Sequence, residues 1–259
     1  MTFQPTYIDV MRHGEPVGAC PKGGSLLRGS IDHELSTKGW LQAEQRILSL
    51  RDELHLDSPW DVIISSPLKR CAAFAEKLAS ETLLTEKNSV ALVIKDCWRE
   101  IHYGDWEGLS TQSIWQQQPE LMQKMWQHPL EFCAPNGEPV KDFSLRIEQA
   151  WLELLNEYQG KRILLVCHGG VMRLLLQQLL LLAPEGMNRF AIPYAAMSRF
   201  RVDHSHWDDE GSNQSHLASS NRTKPQADIK PLQHWPSLIT HLGDEILAED
   251  INLNKQAIS

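Results

Sequence analysis

The sequence predicts an α/β domain, a three-layer sandwich with a mainly parallel central sheet flanked by helices. Three observations predict it. Short β-prone runs alternate along the chain with longer segments whose apolar residues recur at helical spacing. One of those runs, Val62-Ile63-Ile64, is apolar throughout, as a strand covered on both faces must be. Residues suited to chemistry, among them His13 and His168, stand just past strand ends, where ligands gather in such sheets.

The first strand is predicted over Tyr7 to Met11, and a loop rich in Gly and Pro follows from Glu15 to about Leu35. Trp40, Ala43, Ile47, Leu50 and Leu54 then mark a helix, with Ser36 as its N-cap. Val62 to Ile64 closes in Ser65-Ser66-Pro67, and Cys71, Phe74, Ala75 and Leu78 mark one face of a second helix. Val90 to Ile94 is the third strand. Trp98 to Pro139 breaks into loops and short helices. Val140, Phe143, Ile147, Trp151, Leu154 and Tyr158 restore a long amphipathic helix. Arg162 to Cys167 is a strand, with a helix from Val171 after the glycines, and Met197 to Val202 is the last strand. Residues 1–204 are expected to form the domain. Residues 205–259 are expected to be a polar linker, to Pro236, and a short extension with a helix over Leu238 to Leu253.

The 259 residues, 42% of them hydrophobic, suffice for one sizeable core without disulfides or a structural metal. The net charge of −8, from 33 acidic and 25 basic residues, speaks against a general nucleic-acid footprint, so an anionic substrate must be drawn by a local group of cations. Five cysteines without a C-x-x-C pair read as reduced thiols of a cytoplasmic protein. Met1 to Gln4 lacks the basic flank and apolar run of a signal peptide, which makes the sequons at Asn213 and Asn221 accidental. Leu174 to Ala183, interrupted by Gln177 and Gln178, reads as a buried helix and not a membrane span.

Four segments carry potential chemistry. Arg12-His13-Gly14 alone fits a histidine in a surface turn; its strand-then-glycine setting also fits backbone approach to a ligand, with Arg12 offering a planar fork to phosphate. Ser65 to Arg70 reads as a capped helix start whose N–H groups attract anions, and Arg70 lies in the first turn, where a cation opposes the helix dipole. Cys167-His168-Gly169-Gly170 places a histidine at a helix start. Adjacent strand residues point to opposite faces, so Cys167 and His168 do not form a metal pair. Arg99 to Gly108 is a solvated charged loop or the source of a carboxylic proton donor. Taken together they suit phosphoryl transfer through histidine, with cations neutralising the non-bridging oxygens.

The blocks Arg12 to Glu15, Gly29…Asp32…Leu35-Ser36…Gly39, Ser65-Ser66-Pro67…Arg70, Glu100…Tyr103 to Gly108, and His168-Gly169-Gly170 resemble, in order, those of the histidine phosphatase (phosphoglycerate mutase-like) superfamily. The resemblance implies a metal-independent, cofactor-free phosphomonoesterase with His13 as the phosphorylated nucleophile, Glu100 as the proton donor and His168 beside them. It assigns Arg12, Arg70 and His168 to the phosphate pocket. Gly104 to Gly108, and the run of Trp126, Pro129, Phe132, Pro135, Gly137-Glu138-Pro139, Phe143 and Arg146, resemble the α-ribazole phosphatase branch, implying α-ribazole 5′-phosphate as a small-molecule substrate. The alternatives are a phosphoglycerate mutase or sugar-phosphate phosphatase, and a non-catalytic phosphate-binding module. Mutases of this kind carry Arg after the catalytic Glu, where this chain has Ile101. The family's Thr or Ser and nearby Asn are replaced by Pro16, Val17 and Gly18, and Arg28 is the candidate to compensate.

Overall fold

The computed structural model describes residues 4–19, 26–54, 60–80, 90–205 and 233–242. Its strands are β1 (Thr6–Arg12), β2 (Val62–Ser65), β3 (Ala91–Ile94), β4 (Arg162–Cys167), β5 (Met197–Ser205) and β6 (Gln233–Leu242). They form one six-stranded sheet in the order β3-β2-β4-β1-β5-β6. The first four are mutually parallel, β5 is antiparallel to β1, and β6 is antiparallel to β5. The α-helices are α1 (Thr37–Leu54), α2 (Lys69–Ser80), α3 (Thr111–Gln117), α4 (Pro119–Gln127), α5 (Val140–Glu157) and α6 (Gly169–Leu179).

The predicted sandwich is the observed fold. Alternate strand residues supply two separate cores, as the two-residue period of a strand requires. Ile8, Val10, Ile64, Ile163 and Leu165 pack with α5 and α6, through Phe143, Ile147, Val171 and Leu175. Met11, Ile63, Leu164 and Val166 pack on the other face with α1 and α2, through Ala43, Ile47, Phe74 and Leu78. Burying a side chain of this size contributes roughly 1.5–3 kcal/mol, so these two layers are the main stabilising force. The stretch from Trp98 to Pro139 wraps over the α5 side, burying Trp106, Ile114, Met122 and Phe132.

Local chemistry sets the helix starts. Ser36 Oγ accepts the Gly39 N–H at 3.0 Å, the predicted N-cap bond, and its hydroxyl donates to the Glu15 carbonyl at 3.0 Å. This ties α1 to the loop after His13. Gly14 serves that junction: a Cβ there would lie 2.0 Å from the Gly39 carbonyl oxygen. Close packing on α1 by itself therefore requires glycine here. Helix α6 begins at Gly169 and not at Val171, with His168 as its N-cap residue.

The C-terminal extension departs from expectation. Gln233–Leu242 is a strand paired with β5, where a linker to Pro236 and a helix from Leu238 were predicted. Trp235, Leu238, Ile239 and Leu242 have a spacing that also fits a helix. The backbone groups of β5 decide the matter by taking a neighbour, with Phe200 opposite Leu238 and Val202 opposite Pro236. Pro236 suits an outermost strand, where one missing N–H costs little. Residues 206–232 and 243–253 of those expectations lie outside the described residues.

Candidate active site

Parallel pairing of β1 with β4 makes Arg12 and Cys167 register partners. The next residues of each strand, His13 and His168, therefore meet on one rim of the sheet, with ring centroids 5.3 Å apart and edge-to-face. The His13 N–H donates to the Cys167 carbonyl at 3.0 Å, which fixes the backbone of the pair. Both histidines are buried.

His13 Nδ1 lies 2.7 Å from the Gly14 carbonyl oxygen. A carbonyl only accepts, so Nδ1 carries the proton and Nε2 keeps its lone pair. Burial, then Arg70 and Arg12, push the His13 pKa well below the usual histidine range, and its ring is neutral at pH 7. His168 is lowered for the same leading reason, followed by Arg70 and His13. His168 Nε2 shares a 2.7 Å hydrogen bond with Ser66 Oγ, beyond the end of β2.

The cations arrive from separate elements. Arg12 closes β1 and donates through Nη1 to the Ile192 carbonyl. Its Nε is buried and has no hydrogen-bond partner among the described residues. Arg70, in the first turn of α2, is almost wholly buried. It donates to the carbonyls of Ile31 at 2.7 Å and Gly29 at 2.8 Å, so it organises the 29–32 loop as well as charging the rim. The α2 start attracts acceptors, as predicted, but they come from the chain: Asp32 Oδ1 accepts the Lys69 N–H at 2.6 Å, and Ser66 Oγ that of Leu68 at 3.3 Å. Arg28 is buried and donates to the Gly18 carbonyl and, at 3.3 Å, to His33 Nδ1. Its charge adds to the lowering at His13, after burial, Arg70 and Arg12.

Glu100 follows the short 3₁₀ turn Asp96–Trp98 and reaches the start of α6, where Oε2 accepts the Gly170 N–H at 3.0 Å. A Cβ on Gly170 would lie 2.3 Å from Glu100 Oε1, so the glycine is what lets the carboxylate approach. The carboxylate lies within electrostatic reach of Arg12. The sequence thus named His13, His168, Arg12, Arg70 and Glu100, and the fold gathers them on one rim. Arg28 acts on His13 only electrostatically, its donors being held by Gly18 and His33.

Two further residues contribute, Glu107 from within a motif but with no role assigned to it, and Tyr194 from outside the motifs. Glu107 binds the backbone N–H groups of Ser30 at 2.6 Å, Ile31 at 3.1 Å and Tyr103 at 3.1 Å, holding the loop that Arg70 also grips. Its density of backbone donors could not be foreseen from a charged run. Tyr194 lies beneath Arg12, whose Cζ is 4.0 Å from the ring centroid. Its signal was the antiparallel direction of β5, which makes that strand start on the rim where β1 ends. Among the described residues, no three His, Cys, Asp or Glu side chains converge to hold a metal ion, and no helix is long and apolar enough to cross a membrane.

Comparison with known proteins agrees with this geometry. The sequence profile of the histidine phosphatase superfamily (branch 1) matches residues 8–214. An acid phosphatase from Mycobacterium tuberculosis is 30% identical over 197 residues, covering 75% of this chain and 86% of that protein. A 2,3-bisphosphoglycerate-dependent phosphoglycerate mutase 2 from Gloeobacter violaceus is 28% identical over 193 residues, covering 74% and 83%. Among solved structures, the α-ribazole phosphatase from Shigella flexneri is similar with a TM-score of 0.58 at 28% identity, over 75% of this chain and 89% of that one. A match of this extent, on a fold that carries the two rim histidines, means that the chain belongs to the histidine phosphatase superfamily.

Proposed function

We propose that the chain is a phosphomonoesterase that works without metal or cofactor, passes the phosphoryl group through His13, and has α-ribazole 5′-phosphate as its substrate. The observation that carries the chemistry is the 2.7 Å bond from His13 Nδ1 to Gly14, which leaves a neutral Nε2 lone pair beside two guanidinium groups. Nε2 attacks phosphorus as the bond to the ester oxygen breaks, and Glu100 gives its proton to that oxygen. Arg12, Arg70 and His168 stabilise the charge on the non-bridging oxygens, and Arg28 adds positive potential. The Glu100 carboxylate then takes a proton from the water that attacks the phosphohistidine, which restores both residues.

The substrate assignment rests on the segments that resemble the α-ribazole branch and on the Shigella flexneri enzyme of that name. Ile101, buried directly after Glu100, favours hydrolysis over a mutase reaction, because no guanidinium stands there to retain a phosphoglycerate carboxylate. A substrate panel of α-ribazole 5′-phosphate, 3-phosphoglycerate, fructose 2,6-bisphosphate and simple sugar phosphates tests the reading. The highest kcat/KM is expected for α-ribazole 5′-phosphate. Preference for another member overturns the substrate, and no turnover of any despite phosphate binding points to a non-catalytic module.

A further inference from the structure

We infer that Tyr194 is a positioning residue for Arg12: its ring face holds the guanidinium so that its remaining N–H donors are presented to the phosphoryl oxygens. The inference rests on the phosphatase reading above and adds to it a residue outside the resemblance motifs.

Segment 190–196 is built to place this ring. The Ala196 N–H donates to the Pro193 carbonyl at 3.0 Å, closing a turn over Pro193 to Ala196. Its third residue, Ala195, takes a φ of 58°, a left-handed conformation that Gly ordinarily supplies at such a position. A Cβ there is conformationally costly and persists only when surrounding contacts enforce it. Those contacts come from the site itself. The Ala195 N–H donates to the His13 carbonyl at 3.2 Å, and the Arg12 N–H donates to the Ala196 carbonyl at 2.9 Å. From α1, Arg46 Nε donates to the Ala195 carbonyl at 3.1 Å. At the start of the segment, Arg173 Nε on α6 donates to the Phe190 carbonyl at 3.3 Å.

The turn lays Tyr194 against both reacting-side residues. Arg12 Cζ is 4.0 Å from the ring centroid, and the His13 ring centroid is 5.8 Å away at an interplanar angle of 44°. A guanidinium is planar, so fixing its face and one nitrogen fixes the direction of every other donor. Tyr194 supplies the face by a cation–π contact, and the Ile192 carbonyl takes Nη1. Among the described residues this leaves Nε and Nη2 without a hydrogen-bond partner, and they are the donors that a phosphoryl oxygen would take. The working part of Tyr194 is thus its ring, and its hydroxyl is dispensable.

The test is a double-mutant cycle of Tyr194→Leu and Arg12→Lys, read by p-nitrophenyl phosphate turnover and by inhibition with inorganic orthovanadate. Lysine keeps the charge but has no plane to orient. Tyr194→Leu is expected to lower kcat/KM and vanadate affinity roughly tenfold, and Tyr194→Phe to recover activity to within about threefold of the native protein. In the Arg12→Lys background the Tyr194→Leu change is expected to cost less than about twofold. Equal losses in both backgrounds, or no loss in either, would overturn the inference. Should Tyr194→Leu fail to fold, Tyr194→Met takes its place in the cycle. The same cycle read by calorimetric binding of inorganic phosphate needs no turnover. A native protein that turns nothing over but shows this coupling would sink the phosphatase reading and uphold the inference.

Discussion

Asp9, midway along β1, and His13, just past the end of the same strand, stand in two buried groups of charged side chains that are built differently. Asp9 accepts Arg199 Nε at 2.7 Å, Arg199 Nη2 at 2.9 Å and Trp60 Nε1 at 2.8 Å. Its partner comes from the register position opposite on β5, and the charges cancel. Around His13, the guanidinium groups of Arg70 and Arg12 add their charge, with a smaller effect from Arg28, and the carboxylate of Glu100 is occupied at the start of α6. Burying like charges together is costly, and hydrophobic burial elsewhere in the sandwich must offset it. The difference teaches that buried charge by itself does not mark a site. A buried excess of one sign does, because an anion completes it.

The largest expected effect that sharpens this contrast is on the unbalanced side. Glu100→Gln should lower turnover of an alkyl phosphate by about 10²–10⁴-fold, while the first phosphoryl transfer from p-nitrophenyl phosphate, whose leaving group needs no proton, is retained. A burst of nitrophenolate followed by slow turnover is the signature. On the balanced side, Asp9→Ala should cost about 3–5 kcal/mol in urea unfolding by leaving the Arg199 charge without this carboxylate, with little change in kcat of the folded fraction. If Asp9→Ala abolished activity at full stability, the two groups would not differ as described.

A smaller effect comes from the anion itself. Inorganic phosphate at ~100 times its Kd should stabilise the native protein by about 2.7 kcal/mol, seen as a rise in Tm. Arg12→Lys should shrink that rise and Asp9→Ala should leave it intact. The smallest effect is in pH. His13 and His168 have pKa values pushed well below normal by burial, so below pH ~6.5 the unfolded chain takes up protons that the folded chain refuses. Stability is therefore full above that pH and falls as pH drops towards the lowered values, by about 1.4 kcal/mol per pH unit for each such group at most. Urea midpoints between pH 7 and 5.5 should show a shallower fall for His13→Asn; an unchanged slope would contradict the burial argument.

Much of the site could be read from the sequence because parallel strands send their ends to one rim. Arg12-His13 and His168 needed only two strand assignments to be placed together. Glu100 was reached through the resemblance, and the fold adds Gly170 as the reason its carboxylate fits. Arg70 was noticed because it opposes a helix dipole, yet its bonds to Gly29 and Ile31 depend on a loop whose course no periodicity reveals. Tyr194 stayed hidden because its meaning depends on the direction of β5. The β6 segment reads as a helix because its apolar spacing serves helix and strand alike, and only pairing with β5 decides between them.

The covalent step at His13 is open to direct measurement. Rapid quenching of Glu100→Gln with ³²P-labelled p-nitrophenyl phosphate, under alkaline conditions that preserve phosphohistidine, followed by peptide mapping, measures it. Label on the peptide containing His13, and none in His13→Ala, is the predicted result. Label on any other residue, or undiminished turnover by His13→Ala, would contradict it.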